Sequence, residues 1–92
     1  MGAHDDDATL RELRERIELA DREILEAFLR RLDAAREVRR HKDERGYAFV
    51  DAGRERELLE RWLAAARGAV PDETVEELFS AVISLSKREA RR

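Results

Sequence analysis

The sequence predicts an all-α fold of three helices, the first much longer than the other two. Two observations carry this: apolar residues recur at helical spacing along most of the 92 residues, and no stretch alternates with a period of two over a convincing length. "YAFV", residues 47–50, comes nearest to a strand and is too short for a sheet.

The first helix is expected to start after Thr9, a good N-cap. Its apolar face reads Leu10, Leu13, Ile17, Ala20, Ile24, Ala27 and Phe28, then Leu32, Ala35 and Val38. Neither Gly nor Pro interrupts this pattern before Gly46, so the spacing predicts one helix from Leu10 to about Lys42, of about 33 residues or ~50 Å. Residues 1–9 are expected as a disordered tail and 10–92 as one helical domain. Gly46, within "DERGYAF", supplies the left-handed conformation that ends many helices.

A second helix is expected from about Asp51 to Arg67, with Leu58, Leu59, Trp62 and Leu63 as its apolar face and Gly68 past its end. In the third, "VPDETVEELF", Pro71 is preset for the first turn, and Glu73 and Glu76 lie where the helix dipole favours acids. Val75, Leu78, Phe79, Val82, Ile83 and Leu85 form its expected buried face, and the basic "KREARR" complements its negative end.

Charged residues make up 45% of the chain yet the formal net charge is −3, so acids and bases are interleaved and no basic face is set apart for nucleic acid. The chain has no cysteine, which excludes disulfides and thiol chemistry, and His4 and His41 lack any ligand-like spacing, so no metal site is expected. No apolar run approaches the ~20 residues of a membrane span, and "MGAHDDD" lacks signal character, so the chain reads as cytoplasmic with no membrane partner. Asp6 stands where myristoylation after Met1-Gly2 would need Ser or Thr.

A compact globule of this length has a radius of gyration near ~12 Å, well short of a ~50 Å helix, so one end of that helix must overhang. An overhanging apolar stripe is most simply covered by a second copy of the same chain, and a homodimer built on paired long helices is expected. A lone coiled coil would leave the two shorter amphipathic helices with nothing to pack on.

Several charges interrupt the apolar faces. Arg31 falls where the column of Ile17, Ala20, Ile24 and Ala27 would continue, and Lys42 lies eleven residues on at nearly the same angle. Their backbones are ~16 Å apart, a gap that two long side chains can close onto a small dianion with Val38 as an apolar floor; alternatively both snorkel to solvent. Arg14 stands ~42 Å along the rod from Lys42, so it reaches such a site only from the other copy of an antiparallel pair; otherwise it pairs with Glu18. Arg54 sits near the start of the second helix, where the dipole disfavours a cation, and a ligand anion would offset that penalty. Glu55 beside it offers an acceptor for a ligand hydroxyl, whereas Arg56, ~200° around the helix from Arg54, is expected to point outward.

"LRERIELADREILEAFLRRLDAAREV", the Lys42 that follows, "VDAGRERELLERW" and "ELFSAVISLSK" closely resemble the all-helical, AroQ-class chorismate mutases in order and spacing, over about residues 10–89. The resemblance rests on the ordered set Arg14, Arg31, Lys42, Asp51, Arg54 and Glu55. It implies an intertwined homodimer with two equivalent shared sites that converts chorismate to prephenate by a Claisen rearrangement, without a cofactor, on the route to phenylalanine and tyrosine. Carried over, Arg14 of one subunit and Arg31 of the other grip the carboxylates, and Lys42 contacts a carboxylate and the ether oxygen. Arg54 assists, Glu55 and the Asp51 region receive the hydroxyl, and Ser86 adds a polar contact.

One position departs from the family. Ala90, four residues after Ser86, stands where the family usually has Gln or Glu bonded to the ether oxygen, and loss of one such donor costs ~10²–10³ in rate. Related chemistry on the same fold includes isochorismate-pyruvate lyase and aminodeoxychorismate mutase. A weakly active or degenerate mutase serving as a helical interaction module is a further alternative, since some members with altered C-termini depend on a partner enzyme of the shikimate pathway.

Overall fold

The computed structural model describes residues 7–48 and 50–92; residues 1–6 of the expected tail, His4 among them, and Phe49 in the expected break lie outside the described residues. Three helices follow one another, α1 (Ala8–Arg45), α2 (Ala52–Ala66) and α3 (Asp72–Ala90), with no strand among the described residues. No described helix is long and apolar enough to cross a membrane.

Helix α1 is capped two residues earlier than expected. The Asp7 carboxylate accepts from the backbone N–H groups of Thr9 (2.8 Å) and Leu10 (3.2 Å), so Asp7 caps the helix in place of Thr9. An anion at the positive helix end is favoured over a neutral hydroxyl, which accounts for the shift. At the other end the helix runs on to Arg45. Gly46, at φ +69°, donates to the Asp43 carbonyl (3.3 Å) and Tyr47 donates to that of Lys42 (2.8 Å), a Schellman closure that uses the glycine just beyond the last helical residue.

Helix α2 is capped by Asp51, whose carboxylate accepts from the Arg54 N–H at 3.1 Å. It closes on Arg67, which itself adopts the left-handed conformation (φ +51°) ahead of Gly68 (φ +71°). Pro71 stands just before α3 as its cap, one position outside the expected first turn, and its carbonyl accepts from Thr74 at 3.0 Å.

By contact the chain divides into two units, Met1–Arg30 and Arg31–Arg92, so α1 contributes to both. Along the first unit the apolar stripe is uncovered, with Ile17 and Ile24 at 60% and 67% exposure and Leu13, Leu25 and Leu29 also exposed. In the second unit the core is thin. Leu32, Val75, Phe79 and Ala90 are its buried apolar residues among those described, and the Phe79 ring meets Trp62 edge to face at 5.2 Å. Leu58, Leu59, Leu63, Val82 and Ile83 are half-buried around them.

Leu78 and Leu85, expected on the buried face of α3, are exposed. Val75, Phe79, Ser86 and Ala90 define the buried direction, and at 100° per residue Leu78 and Leu85 point roughly 90–110° away from it.

Because Phe79 joins α3 to α2 through Trp62, Phe79→Ala should destabilise the fold by about 3 kcal/mol. Urea unfolding followed by the fluorescence of the single tryptophan should show the midpoint fall accordingly.

Candidate functional site

Within the second unit, the C-terminal stretch of α1, the first turn of α2 and the C-terminal half of α3 surround an open pocket of ≈ 140 Å³. Arg31, Ala35 and Lys42 come from α1, Asp51, Arg54, Glu55 and Leu58 from the start of α2, and Ile83, Ser86 and Lys87 from α3. Each contribution has a local cause. The 31, 35, 42 spacing keeps three α1 residues within roughly 40° of one another, and the Asp51 cap fixes where the first turn of α2, with Arg54 and Glu55, begins.

Arg31 is held firmly. Its Nη1 donates to Ser86 Oγ at 2.9 Å, and that hydroxyl donates in turn to the Val82 carbonyl one turn back on α3 at 2.6 Å. Ser86 is only 3% exposed, so its hydroxyl faces a guanidinium and a carbonyl with little water to compete. Ser86, for which the resemblance implies a polar contact to a ligand, here accepts from Arg31.

Arg54 is more loosely held, its Nη1 lying 3.5 Å from the Glu57 carboxylate in a pair more than half exposed on both sides. Such a pair is worth ~0–1 kcal/mol, and an anion in the pocket can outcompete it. Glu55 instead reaches across to α3, where its Oε1 accepts from Lys87 Nζ.

The lining thus brings together Arg31, Lys42, Asp51, Arg54, Glu55 and Ser86. It leaves out Arg14, which is exposed in the first unit, and Val38, which is 48% exposed. Ala35 stands on the pocket wall where Val38 was expected. The buried side of α1 in this unit centres on Leu32, Ala35 and Arg39, and Val38 is turned roughly 100° from that direction, toward solvent. Arg56 is exposed.

Lys87 was missed by the sequence reading, which assigned it to the basic helix end. A signal was present: Phe79, Ile83 and Lys87 follow one another at four-residue spacing, so Lys87 interrupts an apolar column as Arg31 does. Four cations, Arg31, Lys42, Arg54 and Lys87, face two carboxylates, Asp51 and Glu55, and the lining carries a formal charge of +2. A small pocket of this charge, with donors from three helices, is suited to a dianion that must be held in one conformation.

No curated protein and no solved structure matches the chain. A family model, chorismate mutase type II, matches residues 13–91, which takes in α2, α3, all but the first residues of α1, and every residue of the pocket. The chain belongs to the chorismate mutase type II family.

Proposed function

We propose that the protein is a chorismate mutase that rearranges chorismate to prephenate in phenylalanine and tyrosine biosynthesis, as a cytoplasmic homodimer with sites shared between subunits. The observation that carries this reading is the pocket of formal charge +2, in which Arg31 is fixed by Ser86 beside Lys42 and Arg54. A pericyclic rearrangement needs no nucleophile, acid or base. It needs a flexible dianion folded into a chair-like conformer, and positive charge where the ether oxygen gains electron density as its bond to carbon breaks.

In this reading Arg31 grips a carboxylate, Lys42 serves a carboxylate and the ether oxygen, and Arg54 adds charge at the mouth. Glu55, with Asp51 nearby, accepts the ring hydroxyl. Arg14 of the partner subunit completes the set, and the uncovered stripe of Leu13, Ile17 and Ile24 supports pairing of the long helices.

Purified protein should consume chorismate, followed as loss of its diene absorbance. Arg31→Ala should lower kcat/KM by about 10³-fold or more with the far-ultraviolet circular dichroism unchanged; equal activity in the two proteins would remove Arg31 from the site.

Shared sites make a sharper prediction. Arg14→Ala and Arg31→Ala variants, each nearly inactive alone, should recover about a quarter of wild-type activity when mixed and refolded, because half the dimers are then mixed and each carries one intact site. Failure to recover would place both arginines in the same subunit's site.

Helix α3 stays helical through Ala90, which is buried four residues beyond Ser86. Ala90→Gln should therefore raise kcat by about tenfold or more if the ether oxygen lacks a donor in the present chain. An unchanged kcat would mean that the donor comes from elsewhere or that the last turn is displaced.

A further inference from the structure

Lys87 has no role in the reading above, yet it lines the pocket and its ammonium pairs with Glu55 Oε1. The pair differs from its neighbours in kind. Arg36–Asp33, Arg39–Asp43 and Arg54–Glu57 each run along a single helix, whereas Lys87–Glu55 joins α3 to α2 across the pocket wall. Both side chains are about two-thirds covered, at 30% and 32% exposure, so water screens this pair less than the more exposed Arg54–Glu57 pair.

A carboxylate in a pocket for a dianion is a liability, since it repels the ligand it is meant to orient. Glu55 is useful only as an acceptor for a ligand O–H or N–H, and only if its charge is offset by a neighbouring cation. Lys87 supplies that cation. Its ammonium pairs with Oε1, which offsets the carboxylate's charge and restrains its rotamer, so that Oε2 would be the oxygen to take a ligand donor. Without Lys87 the formal charge of the lining falls from +2 to +1, no longer a match for a dianion.

We propose that Lys87 is a positioning and specificity residue, which holds Glu55 as a charge-compensated acceptor so that the pocket admits a dicarboxylate carrying a hydroxyl or amine donor. The inference rests on the mutase reading, because it is through chorismate's hydroxyl that Glu55 acts.

The test is a double-mutant cycle in the full-length chain, with kcat and KM measured for chorismate. Lys87→Met keeps the aliphatic stem and removes the charge; it should raise KM about tenfold and lower kcat by less. Lys87→Arg, which can still pair with Glu55, should return KM to within about threefold of wild type. In a Glu55→Gln background, where no carboxylate needs compensation, Lys87→Met should change KM by less than about twofold.

An active wild type whose KM is unmoved by Lys87→Met overturns this inference and leaves the mutase reading standing. So does an equal loss in the Glu55 and Gln backgrounds, which would make Lys87 act independently of Glu55. A wild-type chain that neither converts chorismate nor binds it, by calorimetry, overturns the mutase reading and this inference with it.

Discussion

A guanidinium drawn in from the surface of a helix must find an acceptor, and Ser86 supplies one to Arg31 at 2.9 Å. That single bond links α1 to α3 within the second unit and sets the geometry of the pocket. It depends on a further one, because the Ser86 hydroxyl spends its own proton on the Val82 carbonyl and so presents a lone pair, not a hydrogen, to the arginine. Donation runs outward from the guanidinium, on one side through the hydroxyl to the carbonyl and on the other to whatever anion the pocket holds. Burial of Ser86 protects it from exchange with water.

The surrounding charges are graded in how tightly they are held. Asp51 is committed to the backbone of α2, Glu55 is held across the wall by Lys87, and Arg54 pairs with an exposed neighbour on its own helix. A pocket built this way keeps its acidic groups occupied and holds Arg54 less tightly than Arg31. On the mutase reading, the fixed part shapes the ligand and the looser part adds attraction.

Much of this was legible in the chain. Gly46, Asp51 and Gly68 mark helix ends through backbone conformation and capping, which act over a few residues and so can be read locally. Arg31 stood out because a cation in an apolar column is a local anomaly too. What escaped reading depends on the direction a helix face takes in three dimensions. Val38 and Ala35 differ by 60° around α1, and the pattern of apolar residues cannot tell which of the two a neighbouring helix will cover. Ser86 enters only through the family resemblance and Lys87 only as part of a basic helix end, whereas their partners in the pocket come from α1 and α2, remote in sequence. Asp7 displaced Thr9 as the cap of α1 for a smaller reason, the advantage of a charge over a hydroxyl at the same helix end.

The thinness of the interior has a wider meaning. With so few side chains out of contact with water, the three helices have little to hold them as a solitary molecule, and much of the chain's apolar surface lies along residues 13–29 instead. Polar substitutions of its apolar residues would remove no group that lines the pocket, yet in the cell their cost would be felt through turnover by proteases and a falling protein level.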